Sequence, residues 1–535
     1  MNNNTEGSGF YVVSSFMADG TAFFSGMMFY SDSIIIGEKG FKEYLQFNDF
    51  PDMQLAIEGR FSLVKLEDDF VYASTDLFGQ EAIYYYAQDG VWGISNSFLL
   101  LCRELKSRGV NLTLDYDQAS ILKIKHGFTQ QLISNDTLVN EIKVSPREKI
   151  LIINKINTKT SFIGINSESR GQGSYEDDIN NFLNRNLEIN LALTSYFKNR
   201  VTVDITGGVD SRLVLATLID SGVDLSTINF VCAKGDNNDY YVASLLADEF
   251  NFKITNKSFT YGQGTQEELY DFWKLGNIGV YYPIYFPSSV RPQSLLHYHG
   301  ACGECYRDFY GMSAKDYLEE IASSQKDQKA LFSLNRKFGK TLHDSKVAVD
   351  SKLSMFHHYK DFRSRFHFGR SAFRNLNEYT VTSLSSPHLL YAFNKLDDYE
   401  KENGSLVLDI FLASCPNILN IPFDEDSKNF KIKEIESSRF YSLKRKKNLH
   451  RNLKIYYCLE PREPKTESNQ SINNYLIYDL EKYQDSLIKS SFYSCSEIEL
   501  MIDLIKSGRR VTLIGLDAAK MISLGEVLSI CNEMN

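Results

Sequence analysis

The chain has 535 residues, 43% hydrophobic and 13% aromatic, so it encodes packed cores and, by length, two or three domains. A formal net charge of −10 argues against a general nucleic-acid binder. No apolar run approaches the ~20 residues of a membrane span. The segment Met1–Glu6 lacks the charged and apolar regions of a leader, so a cytoplasmic location is expected. The eight scattered cysteines then read as reduced thiols, and the single Cys302-x-x-Cys305 pair is a weak sign of zinc or redox chemistry.

Residues 9–100 read as short strands. Two hairpins stand out, residues 61–66 with 70–74 around an acidic turn, and 82–86 with 91–95 around Asp89-Gly90. A helix is expected over 116–127 and a strand over 149–154. The polar stretch 166–174 reads as a linker and 175–196 as an amphipathic helix. Strands are expected at 201–205, 227–234 and from 252, with helices after the first two. That alternation predicts a doubly wound parallel sheet with ligands at the C-terminal strand ends. Residues 310–460 read as helix-rich, with Ser385 and Ser386 capping a helix that begins at Pro387. The basic run 443–448 reads as a solvated helix face. Ser496 and Glu499 have capping-box spacing, and 510–515 reads as a strand or a helix start.

The chain is organised around Val201 to Ala216. A β-branched run leads into Thr206-Gly207-Gly208, and an apolar helix follows Ser211. Such a turn leaves backbone N–H groups at the positive end of a helix, which suits a phosphate or pyrophosphate. Thr206 and Ser211 add hydroxyls, and Asp210 can hold magnesium. The spacing is not that of a Walker A loop. The bare pattern also fits an ordinary strand–turn–helix.

Thr206-Gly-Gly-Val-Asp-Ser211 resembles the pyrophosphate loop of the asparagine-synthetase-like ATP pyrophosphatases. Residues 298–307, Tyr-His-Gly-Ala-Cys-Gly-Glu-Cys-Tyr-Arg, resemble the segment that completes the ATP site in that family. The resemblance implies an ATP and pyrophosphate site built from Ile205, Thr206, Gly207, Gly208, Val209, Ser211, Val231, Cys232, Ala233, Gly300 and Gly303. It implies Mg²⁺ held by Asp210 and Glu304, and a transition-state lysine, for which Lys428, Lys431 and Lys433 are candidates and Lys428 is carried forward. The segment Cys415 to Phe423 is similar to a family loop that precedes that lysine. Ala301 departs from the family, which places Glu or Tyr there on the acceptor side.

Residues 58–63, 73–79, 84–86, 126–128 and 136–147 resemble the N-terminal glutaminase domain of class II amidotransferases. That implies an Ntn-hydrolase-like sandwich of two antiparallel sheets with helices outside. It also implies a catalytic cysteine directly after Met1, where this chain has Asn2, and no cysteine precedes Cys102. Glutamine hydrolysis is therefore expected to be lost. The expected division is 1–165 as the degenerate glutaminase-like domain, 166–174 as linker, 175–460 as the ATP-pyrophosphatase domain with a helical C-terminal part, and 461–535 as a helical appendix. The expected activity is that of a carbon–nitrogen ligase: ATP adenylates a small-molecule or peptide carboxylate, pyrophosphate leaves, and an amine or ammonia takes the acyl group. Neither nucleic acid nor membrane is an expected partner, whereas a homodimer or a biosynthetic partner protein is compatible. A non-catalytic scaffold and, behind it, a sulfur-transfer pyrophosphatase using Cys302 and Cys305 are the alternatives.

Overall fold

The computed structural model describes residues 9–16, 22–165, 173–234, 238–255, 266–283, 296–308, 310–367, 378–443, 445, 447, 452–458, 471–508 and 511–532. Asn2 and most of the expected linker lie outside them. Among the described residues the fold is mixed α/β with three sheets, one of them wholly parallel.

Two sheets face each other in the first part of the chain. The smaller runs Val12–Ser14, Val91–Ser95, Tyr84–Gln88, Lys143–Val144. The larger runs Thr160–Gly164, Lys149–Asn154, Phe70–Thr75, Glu58–Leu66, Ala22–Tyr30, Ser33–Ile36, Lys454–Tyr457. Pairing is antiparallel except at the last strand, which joins Ser33–Ile36 in parallel. Val64, Val71, Ala73, Leu151 and Ile153 meet Tyr11, Val13, Ile83, Trp92 and Ile94 in the core between the sheets. The other face of the larger sheet supplies Phe24, Phe61 and Leu63 to the core it shares with the parallel-sheet region. Each such side chain contributes about 1.5–3 kcal/mol by burial, so burial on both faces anchors the larger sheet. Both expected hairpins form, and Asp89 and Gly90 both have positive φ, 50° and 77°, as a tight two-residue turn between twisted strands requires.

The helix Tyr175–Tyr196 forms as expected, opened by a capping box from Ser174 and Asp177. It packs with Val209–Asp220 and Ser405–Ser414 on the apolar face of the parallel sheet. Helices Ile472–Lys489, Cys495–Lys506 and Val511–Asn532 share a core with Phe98–Ser107 and Gln266–Asn277. Lys274 is buried there between Asp479 (2.8 Å) and Glu526 (3.0 Å).

Several local expectations are corrected. The 116–127 helix stops at Ile121, and a 3-10 turn, Gly127–Gln130, begins where His126 accepts from the Phe128 N–H. The strand expected from Phe252 is reduced to a single bridge, Phe230 to Ile254. Helix Pro387–Asn394 begins after Ser386, but neither serine caps it, and both hydroxyls are buried without a partner among the described residues. The capping box is Ser494–Glu497, not Ser496–Glu499. That register places Tyr493 and Ile498 in the same apolar core, the staple arrangement; the other would put exposed Cys495 and Leu500 there. Residues 511–515 are helical, and Arg510 lies outside the described residues. Arg445 leaves the basic run to become a buried partner of Asp220, so that run is not simply a solvated face. Among the described residues no helix is long and apolar enough to cross a membrane.

Candidate active site

The parallel sheet has the order Ile228–Val231, Val201–Asp204, Leu296–Tyr298, Tyr379–Val381. The chain leaves Val201–Asp204 toward one side and later returns on the other. The reversal is a topological switch point, and in open α/β sheets the ligand crevice lies there, between the loops that follow Val201–Asp204 and Leu296–Tyr298. Both resemblance-bearing loops lie at this crevice.

The first loop is fixed by close packing. The Ile205 N–H donates to the Val231 carbonyl at 3.0 Å. A Cβ on Gly207 would lie 2.7 Å from Asp424 Cβ and 3.1 Å from Val242 Cβ, so only glycine fits. The Thr206 N–H donates to Ser211 Oγ at 3.1 Å, and the two hydroxyls are 3.0 Å apart. The Gly207 N–H donates to Asp239 (3.0 Å), and the Gly208 N–H to Thr206 Oγ1 (3.1 Å). Helix Val209–Asp220 starts with Gly208 at its N-cap and no side-chain cap, so its first turn keeps the positive end open. Arg212 is buried and ties the loop to residues 421–423. It donates to the carbonyls of Ile421 (2.7 Å), Gly207 (3.3 Å) and Pro422, and stacks on the Phe423 ring at 3.9 Å.

This docking separates the three candidate lysines. Lys428 Nζ donates to Asp424 and Glu425, each at 2.9 Å, and the Asp424 N–H donates to the Gly207 carbonyl at 3.2 Å. Lys428 thus sits beside the loop, whereas Lys431 and Lys433 are exposed. On the strand side, Cys232 is buried with its thiol pushed up by burial, and Ala233 is exposed at the strand end.

The second loop is pressed against the first. A Cβ on Gly300 would lie 2.7 Å from Asp210 Cβ and 3.0 Å from the Ser211 nitrogen. One on Gly303 would lie 2.2 Å from Asp210 Oδ1. This contact places Glu304 beside Asp210. Burial first, and the Asp210 charge second, push the Glu304 carboxyl up to about 8. Its Oε2 is buried with no hydrogen-bond partner among the described residues. A divalent cation would relieve that repulsion, so the two carboxylates fit Mg²⁺, which takes few protein oxygens when phosphates supply the rest. Among the described residues no cluster of three or more His, Cys, Asp or Glu is arranged for a metal, so phosphate would have to complete the shell.

Three features of the site escaped sequence reasoning. Arg307 grips Asp210 with two bonds, Nη2 to Oδ2 at 2.7 Å and Nε to Oδ1 at 3.2 Å. Asp239 and Asp424 hold the first loop from two sides. His297 bridges Asp204 (2.7 Å) and Glu378 (2.6 Å) on the face of the sheet that also carries Thr202 and Thr380 in register. Burial alone would push this imidazole down, but Glu378 and Asp204 outweigh it and raise it to about 10. A signal was present: strands buried in parallel sheets read as continuous apolar runs, and Asp204 and His297 interrupt two of them. Ala301 is buried in the second loop, its N–H donating to His299 Nδ1 at 3.1 Å. Cys302 has φ of 72° and accepts from Gln80 Nε2 at 2.8 Å, which joins this loop to the N-terminal sheets. Burial raises its thiol well above the usual range, and Cys305 adds to the effect.

No model of a known protein family matches the sequence, and no characterised protein shows significant similarity to it.

Proposed function

We propose that the chain is an ATP-dependent amide-forming ligase of the asparagine-synthetase-like kind, with an Ntn-hydrolase-like sandwich ahead of an ATP-pyrophosphatase domain. The observation that carries the reading is the meeting of the two loops, with Gly300 and Gly303 pressed on the first turn of Val209–Asp220. One crevice thereby holds an open helix N-terminus, two hydroxyls and two neighbouring carboxylates. That set suits a magnesium-bound triphosphate whose α-phosphate is attacked by a carboxylate, giving an acyl-adenylate and pyrophosphate. An amine or ammonia then displaces AMP and forms the amide. Lys428, which donates to Asp424 beside the loop, is the lysine proposed to meet charge developing there.

A second reading, a scaffold without turnover, draws on one observation. Asp210 and the amides of Gly207 and Gly208 are all engaged by partners within the chain. Exchange of labelled pyrophosphate into ATP, assayed with Mg²⁺ and a panel of carboxylates, separates the two. The ligase reading expects exchange that Asp210→Asn abolishes; no exchange and no ATP binding with any acid would refute it. Cys302, one of the two thiols of the sulfur-transfer alternative, is buried, as is Cys305, whereas reactive thiols are partly exposed.

A further inference from the structure

We infer that Arg307 is a pyrophosphate ligand held in reserve: it neutralises Asp210 until Mg²⁺ takes that carboxylate, and its guanidinium then passes to the phosphate oxygens. The inference rests on the ligase reading and concerns the same crevice.

Three observations carry it. The fork of Arg307 is spent on Asp210, the carboxylate at the first turn of Val209–Asp220 beside the open helix end. A bidentate guanidinium is the geometry that matches a carboxylate and a phosphate equally well. Secondly, the pair is partly accessible: the Arg307 side chain is 27% exposed and that of Asp210 16%, so an incoming anion can reach it. Nη1 has no hydrogen bond among the described residues and is left for an incoming anion. Thirdly, the neighbouring Glu304 is passed over. It lies three residues before Arg307, and its Oε2 has no hydrogen-bond partner among the described residues. Arg307 therefore spends its hydrogen bonds on Asp210 and reaches Glu304 only through its charge, which leaves the Glu304 oxygen unpartnered where a divalent cation gains most.

The charge bookkeeping closes in both states. Without ligand, one guanidinium balances Asp210. With Mg²⁺ and a phosphate chain present, the metal balances the two carboxylates and the guanidinium joins the amides at the polyanion. Arg307 competes with the metal in the free protein and assists it once pyrophosphate is present.

The test uses the full chain and two binding titrations, Mn²⁺ alone and Mg²⁺–pyrophosphate, by calorimetry. For Arg307→Met, the free protein should bind Mn²⁺ about five- to tenfold more tightly, because Asp210 is released. The same variant should bind Mg²⁺–pyrophosphate at least about tenfold more weakly, because the fork is lost. Arg307→Lys, which keeps charge without the fork, should fall between wild type and Arg307→Met for pyrophosphate. Opposite signs in the two titrations are the expected signature. Weakening in both would make Arg307 a strut of the loop and overturn the inference, as would no change in either. If the wild-type chain binds no Mg²⁺–pyrophosphate, the ligase reading and the transfer to phosphate both fall, while the Mn²⁺ titration still reports whether Arg307 competes for Asp210.

Discussion

Gly303→Ala tests whether the two loops are one assembly. A methyl at this position would lie 2.2 Å from Asp210 Oδ1, 2.4 Å from its Cγ and 2.8 Å from its Cβ. No real Cβ tolerates such contacts, and a swing of the Asp210 carboxylate does not relieve the 2.8 Å contact to its Cβ. Either the 299–304 loop lifts or the first turn of Val209–Asp220 shifts. Overpacking of this kind costs about 1–3 kcal/mol of stability. A shift of about 1 Å in a reacting geometry costs on the order of 100-fold in rate. Pyrophosphate exchange should therefore fall about 100-fold or more, with a small drop in the thermal midpoint. Gly300→Ala, whose added methyl meets helix backbone, should do at least as much. Gly339→Ala is the control: it sits within helix Gln328–Asp344, nothing lies within 4 Å of its Cβ, and alanine there should stabilise by up to about 1 kcal/mol. If Gly303→Ala keeps wild-type exchange and an unchanged midpoint, the close packing of the loops is not what builds the site.

Three other outcomes follow from the same structure. Because the His297 pKa is raised to about 10, its ion pairs stabilise fully below about pH 6.5 and fade as pH rises toward 10. Urea midpoints should fall between pH 7 and 9, and His297→Gln should flatten that slope, whose ceiling is about 1.4 kcal/mol per pH unit; a parallel slope in the variant would refute the bridge. Lys274→Met leaves Asp479 and Glu526 facing each other in a dry core, so a loss of about 3–5 kcal/mol in denaturant unfolding is expected. Cys302→Ala should retain pyrophosphate exchange within a few-fold, whereas a catalytic thiol would make the loss near total.

What could be read from the sequence was local. The helix Tyr175–Tyr196 was legible to the residue because an amphipathic repeat follows the polar stretch 166–174, and the second hairpin because Asp89-Gly90 suits a tight turn. The glycines of both loops announced close approach. What could not be read was long-range pairing. Arg307 meets Asp210 across 97 residues, and His297 meets Glu378 across 81. Strand Lys454–Tyr457 returns to Ser33–Ile36 with nothing in its own pattern to name that neighbour. Ser494 and Ser496 each precede a glutamate by three, so spacing alone allowed two capping boxes; the apolar neighbours Tyr493 and Ile498 decide between them only once the core is known.

The same geometry divides the site into a frame and moving parts. Arg212 is fully buried, burial lowers its pKa to about 10, and its guanidinium is spent on backbone carbonyls and the Phe423 ring. Removing it would leave orphaned carbonyls in a dry interior, a cost of about 1–3 kcal/mol for each group, so it holds still. Arg307 and Lys428 are the opposite case: each side chain is 27% exposed and paired with carboxylates at the mouth of the crevice. Both pairs are partly open to solvent, and a polyanion with a divalent cation would offer each cation a more highly charged partner in the same place. On the ligase reading, a nucleotide would take over these two cations without disturbing Arg212, Gly207, Gly300 or Gly303. The internal pairing that favours a scaffold at first sight is also what an empty anion site with a rigid frame and two borrowed counter-ions would show. The two readings part at Arg307, where a scaffold needs the pair with Asp210 kept and a ligase needs it broken.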